Sequence, residues 1–244
     1  MYKACPRQYF YNYILGLRYD AGNKDSSGYG RALHSAFEFA LNYAMEHKKY
    51  PSTDEAYEVF EKELDAMPVI NPDKIKQSAK EHIFSEGAYY EKFMEIKPAD
   101  ELDTKTELKV TYTTEDGISF NGSLDRVDKN SDGTYTIYDY KTGEDSNGIT
   151  KGGTHSDYYY QMAFYKFLLQ QHIGKNVPVN TVFLYPLIDA GYVDTGLDDA
   201  KCEEVANEYV EIVKKINNYE FYRPEKCPKK AFCNCRDFCK NDVI

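Results

Sequence analysis

Apolar positions recur at helical spacing over the first hundred residues and then switch to alternation. From 31 to about 47, Leu33, Phe37, Ala40, Leu41 and Ala44 share one face of a 3.6-residue period, which predicts an amphipathic helix. An earlier helix is predicted up to about Leu17, followed by a Gly-, Asp- and Ser-rich loop over 20–30. Two more helices are predicted over 53–65 and 72–96, with Ser52 or Thr53 and Asn71 as N-caps.

Beyond residue 100 the segments 107–113, 118–128 and 134–141 alternate and are rich in Val, Ile, Tyr and Thr, as strands are. Glu115-Asp-Gly and Asn130-Ser-Asp-Gly are turn signals between them, so an antiparallel meander is expected. A polar loop over 142–154 leads to a predicted helix over 157–172, a short apolar strand over 181–187 and a last helix over 198–218. A strand that follows a crossover helix usually lies parallel to a neighbour. The expected architecture is therefore α/β, a small mixed sheet flanked by helices, with an N-terminal helical block and a C-terminal Cys-rich segment. We read 1–244 as one domain, with a helical part over 1–100, a core over 101–200 and a Cys-rich tail over 219–244.

With 42% hydrophobic and 15% aromatic residues, the composition is that of a globular protein. No run approaches the roughly 18 apolar residues of a membrane span, and no charged-then-apolar leader opens the chain, so a soluble, cytoplasmic protein is expected. The net charge of −10 argues against a surface built throughout for phosphate, although it can hide local basic patches or acidic clusters balanced by cations. No Gly-x-x-x-x-Gly-Lys-Ser/Thr loop is present, which excludes a P-loop ATPase.

The chemistry concentrates in two strands. Asp125 lies in Gly122-Ser-Leu-Asp-Arg-Val-Asp128, and Asp139-Tyr-Lys141 ends the next strand. Residues i and i+2 share a face, so Asp139 and Lys141 point one way and Tyr138 and Tyr140 the other. A hairpin can set Asp125 opposite them, and adjacent carboxylates repel unless a hard cation lies between them. Mg²⁺ or Mn²⁺ held by Asp125 and Asp139 would polarise a phosphate, with Lys141 orienting water or countering developing charge. The competing reading is a solvated hairpin edge with ordinary surface charges.

Gly30-Arg-Ala-Leu-His34, Gly122-Ser-Leu-Asp125-Arg126, Asp139-Tyr-Lys141-Thr-Gly143 and Gln161-Met-Ala-Phe-Tyr165 resemble, in order, the motifs of the RecB-like nucleases of the PD-(D/E)XK superfamily. The resemblance implies a restriction-endonuclease-like core that cuts DNA with divalent metal. It makes His34, Asp125 and Asp139 metal ligands and Lys141 the catalytic lysine. Gln161 and Tyr165, i and i+4 on one helix face, would contact DNA or support the site. Glu38 is a weaker fourth ligand candidate, and Glu107 resembles a recurrent acidic position to which we attach no role.

Six cysteines stand at 5, 202, 227, 233, 235 and 239. In a branch of that family one early and three late cysteines hold a [4Fe–4S] cluster, and Tyr2-Lys-Ala-Cys5-Pro6-Arg7 resembles its leading segment. By that resemblance Cys5, Cys227, Cys233 and Cys239 are the cluster ligands, with Cys235 as alternative because the tail departs from the usual Cys-x₂-Cys-x₅-Cys spacing. A Zn²⁺ knuckle built from the tail alone is the competing reading. Cys202, on a charged helix, is expected to take no part.

The function these readings favour is a metal-dependent deoxyribonuclease, an exonuclease by resemblance, acting in repair, recombination or phage or CRISPR DNA processing. Its partners would be single-stranded or duplex DNA ends and a helicase or recombination protein, in the same or another chain. The alternatives are a non-catalytic DNA-end-binding or scaffolding module, and an unrelated zinc-ribbon interaction protein.

Overall fold

Helix and strand formation follow the hydrophobic pattern closely, with three departures that each have a local cause. The computed structural model describes residues 2–17, 24–142, 157–185 and 191–225 together with Cys227, Cys233, Cys235 and Cys239. Its contacts group the chain into two units, Asn23–Val205 and Met1–Gly22 with Ala206–Ile244.

The larger unit opens with α2 (Lys24–His47), α1 (Pro6–Tyr9) belonging to the other unit. The first departure is that α2 starts at Lys24, within the stretch expected to be loop. Gly28 has the helix lie directly against Val69, with no room for a β-carbon, so this glycine serves close packing rather than a turn. The helix α3 (Thr53–Asp65) starts on a capping box, Ser52 and Glu55 each satisfying the other's backbone N–H. The second departure splits the helix expected over 72–96 into α4 (Pro72–His82) and α5 (Tyr89–Glu95), with Gly87 between them in a left-handed conformation (φ +73°).

The sheet has the strand order β1-β2-β3-β4-β5, comprising Thr104–Thr113, Ser119–Lys129, Tyr135–Tyr140, Val179–Tyr185 and Gly191–Asp194. All neighbours are antiparallel except β3 and β4, which are parallel. Helix α6 (Asp157–Ile173) lies in the chain between those two strands, as the crossover rule requires. The third departure is β5, too short to leave a periodic signal. Of the loop expected over 142–154 only Thr142 lies within the described residues, and the last two residues of the strand expected over 181–187 lie outside them.

One face of the sheet presents Tyr138, Tyr140, Val182 and Leu184 to the core built by Phe37, Phe60 and Phe93 of the N-terminal helices. Helix α6 is buried on several sides through Met162, Ala163, Phe164, Lys166, Leu168 and Leu169. Within the helical face lies Arg126, fully buried, its guanidinium forked onto Asp128 (Nε–Oδ1 2.8 Å, Nη2–Oδ2 2.7 Å) and stacked over Tyr138 at 4.7 Å. Thr104 donates a further hydrogen bond to Asp128. Removing one partner of such a pair leaves a buried charge uncompensated. Asp128→Ala should therefore cost about 3–5 kcal/mol of stability, read as a lower urea midpoint.

In the smaller unit α1 (Pro6–Tyr9) is capped by the Cys5 sulfur, which accepts the Gln8 N–H, and continues as a π-helical turn over Phe10–Ile14. The last helix, α7 (Asp199–Asn217), carries the boundary between the two units. Among the described residues no helix is long and apolar enough to cross a membrane.

Candidate active site

Register places three carboxylates in one row across three strands. Thr106 pairs with Arg126 and Leu108 with Leu124, so Glu107 stands opposite Asp125. Arg126 in turn pairs with Tyr138, which sets Asp125 level with Asp139 at the point where the β2–β3 ladder ends. The ladder ends there because the Tyr140 N–H donates to Asp125 Oδ2 (2.9 Å), a side chain replacing a backbone acceptor.

Glu107 has φ +46°, a left-handed backbone inside a strand. For a residue with a β-carbon this costs on the order of 1–3 kcal/mol, and such outliers concentrate at functional sites. The Glu107 carboxylate is met by the Ser123 hydroxyl at 3.0 Å and comes together with His34 and Asp125, one ligand atom from each lying within 4.8 Å of the others. His34 reaches the row from α2, with Nδ1 3.6 Å from Asp125 Oδ1 and Nε2 3.3 Å from the Tyr140 carbonyl. Gly30, one turn earlier, permits this approach, since a β-carbon there would stand 3.2 Å from Thr142 Oγ1.

Asp139 and Lys141 share a face of β3, as alternation predicts, and form an ion pair at 2.5 Å. Lys141 Nζ also donates to Gln161 Oε1 (2.9 Å), and Gln161 Nε2 donates to the Tyr165 hydroxyl (2.8 Å). The lysine is roofed by the Tyr158 ring, 4.4 Å from its centroid. On β2, Gly122 lies against α6, where a β-carbon would meet Leu168 at 2.8 Å and Tyr165 at 3.4 Å. The four segments singled out in the sequence thus supply one continuous constellation.

Its electrostatics are those of a site short of positive charge. Burial, then the charges of Asp139 and Glu107, push Asp125 up to about 8. Burial also raises Asp139, against the opposing pull of Lys141. Burial lowers His34, which favours the neutral imidazole able to ligate metal. Glu38 is raised by burial and by Glu107, and lines with Arg31, His34, Glu107 and Thr142 an open depression of about 610 Å³. Carboxylates that resist ionisation beside a neutral imidazole form the donor set of a hard divalent cation, so the residues present fit Mg²⁺ or Mn²⁺. Sequence reasoning left Glu107 without a role and passed over Tyr158.

In the smaller unit Cys235 is buried and its thiol donates to Asn12, whereas Cys227 is exposed. Burial, with added repulsion from Cys233, Cys5 and Cys239, pushes Cys235 up to about 11. Cys239 is raised in the same way, with Cys5, Cys233 and Cys227 among the contributors. Cys202 is buried on α7 and raised to about 12, an inert thiol.

A mixed sheet bearing carboxylates and a lysine on adjacent strands, flanked by helices, defines the restriction-endonuclease-like class of nuclease fold. Residues 1–240 match the PD-(D/E)XK nuclease superfamily, and the chain belongs to it. Among solved structures, a proposed exonuclease from Eubacterium rectale is similar at 16% identity and TM-score 0.54, over 97% of this chain and 82% of that one. SSO0001 covers 84% of each chain at 14% identity with a TM-score of 0.37, which bears no argument. No curated protein matches the chain significantly.

Proposed function

We propose that this chain is a divalent-metal-dependent nuclease that hydrolyses DNA phosphodiester bonds, working from strand ends. The observation that carries the reading is the single row Glu107–Asp125–Asp139, with His34 against Asp125 and Lys141 held beside Asp139. His34, Glu107, Asp125 and Asp139 would hold Mg²⁺ or Mn²⁺. When bound, the cation supplies Lewis acidity toward a phosphoryl oxygen and lowers the pKa of water.

The chain's own groups do the positioning. Asp139 and Gln161 fix the direction of the Lys141 ammonium, which stands ready to orient the attacking water or to balance charge on the phosphate. Tyr165 in turn orients the Gln161 amide, so that its carbonyl oxygen faces the lysine. The exonuclease mode and a role in DNA repair, recombination or phage or CRISPR DNA processing come from the resemblance to RecB-like nucleases. The reading is tested with end-labelled single- and double-stranded DNA plus Mn²⁺. Wild type shortens the label, Asp139→Ala leaves it intact, and equal cutting by both would overturn the site.

We also propose that cysteines of the smaller unit hold a [4Fe–4S] cluster. Cys5 and Cys233 help to raise the thiols of both Cys235 and Cys239, and Cys227 adds to the effect on Cys239, which supports a shared group drawn from these cysteines, with Cys235 buried and Cys227 exposed. Anaerobically purified protein should be brown and carry about four iron atoms per chain. Zinc as the sole metal would overturn this assignment.

A further inference from the structure

Strand β4 sends alternate side chains to the two faces of the sheet. Val182 and Leu184 join the helical core with Tyr138 and Tyr140, so Phe183 and Tyr185 stand on the opposite face, that of Asp139 and Lys141. Asp139 pairs with Phe183 and Tyr140 with Leu184, and the Lys141 N–H donates to the Leu184 carbonyl at 2.8 Å. The parallel ladder continues in this way past Tyr140 and brings Tyr185 alongside Lys141. The Phe183 ring lies 5.7 Å from Lys141 Nζ and 6.2 Å from the Tyr185 ring, centroid to centroid.

Tyr185 is 1% exposed, and its hydroxyl has no hydrogen-bond partner among the described residues. A buried hydroxyl left unpaired is destabilising, and phenylalanine would fill the same space without that cost, as Phe183 does two residues earlier. Tyr29 and Tyr140 also bury unpaired hydroxyls, but both lie in the apolar helical core, whereas Tyr185 stands on the face of the charged groups. Burial and then the charge of Asp139 push Tyr185 up to about 12, so at neutral pH its hydroxyl keeps its proton and its oxygen is a neutral acceptor.

Lys141 has the complementary need. Its ammonium carries three N–H donors, for which the structure supplies two acceptors, Asp139 and Gln161, and the face of the Tyr158 ring. Asp139, as a ligand of the proposed cation, would be drawn away from the lysine. We infer that Tyr185 is a positioning residue, its hydroxyl oxygen accepting the Lys141 ammonium once Asp139 is so engaged. Hydrogen bonds of this kind are often unmade in a free enzyme and tighten only when its ligands arrive. The inference rests on the nuclease reading for the reason that Asp139 turns away, but its central test needs neither metal nor DNA.

That test is a double-mutant cycle read as the melting temperature of the metal-free, full-length protein. In the wild-type background Tyr185→Phe should keep or raise the melting temperature, because it removes an unpaired buried hydroxyl. In the Asp139→Ala background, where Lys141 has lost its carboxylate, the same substitution should lower it by about 2–4 °C or more. Equal shifts in the two backgrounds would make the hydroxyl merely structural and overturn the proposal. With Mn²⁺ and end-labelled DNA, Tyr185→Phe should lower kcat about tenfold with KM unchanged, the scale of one hydrogen bond to a charged group. Wild-type kcat in that variant would likewise overturn it. Cleavage by wild type and its loss in Asp139→Ala keep the nuclease reading standing whichever way the cycle falls, and absence of cleavage by wild type would end that reading while the cycle still decides on Tyr185.

Discussion

Asp139→Ala should lower DNA cleavage by about a thousandfold, the scale of removing a preorganised group from a site of charge development. The substitution acts twice. It withdraws a carboxylate from the cation, and it releases Lys141, whose ammonium is held by Asp139 at 2.5 Å and by Gln161 at 2.9 Å. Lys141→Gln should show a loss of similar size while leaving the carboxylates in place. Lys141→Arg should not rescue it, because the bulkier planar guanidinium does not fit where a compact ammonium sits under the Tyr158 ring. The fold should tolerate Asp139→Ala, since Lys141 keeps the Gln161 carbonyl oxygen and the face of the Tyr158 ring as partners for its ammonium. A variant with wild-type melting temperature and at least half of wild-type cleavage would remove Asp139 from the chemistry.

How legible this site was in the sequence depended on which geometric rule each residue obeys. Alternation alone put Asp139 and Lys141 on one face, and the hairpin turns fixed which carboxylates meet. Glu107 and Asp125 lie nine residues either side of Asp116 at one turn, and Asp125 and Asp139 seven residues either side of Asp132 at the next. Counting outward from both turns would have aligned Glu107 with the pair. Its backbone conformation could not be read, because φ +46° at a glutamate contradicts local propensity and is imposed by the surrounding contacts. His34 was a different case, since a histidine on an amphipathic helix gives no sign of which strand end its helix will meet. Gly30 held that information only as an allowance for close approach to Thr142. The early start of α2 was hidden for the same reason, because Gly28 and Gly30 look like loop residues until the neighbours that exclude a β-carbon are known.

The second large effect concerns protons and metal. Burial and the neighbouring Asp139 raise Asp125 to about 8, so from about pH 4 to about 8 the folded metal-free protein retains a proton that the unfolded chain has released. Its stability accordingly falls as pH rises through that window, by at most about 1.4 kcal/mol per pH unit for one proton. Asp125→Asn removes the titrating group but keeps the shape, so the metal-free variant should melt above wild type at pH 8, with the gap closing toward pH 4. The His34 contribution runs in the opposite sense, because a lowered imidazole pKa removes stability as pH falls, but it is common to both proteins. A divalent cation competes with the retained proton, so Mn²⁺ should raise the wild-type melting temperature more at pH 8 than at pH 5. At a hundredfold excess over its dissociation constant it contributes about 2.7 kcal/mol, some 5–10 °C for a chain of this size. Asp125→Asn should lose most of that response. A Mn²⁺ effect that is independent of pH, or intact in Asp125→Asn, would place the cation elsewhere and leave the row of carboxylates without its counter-charge.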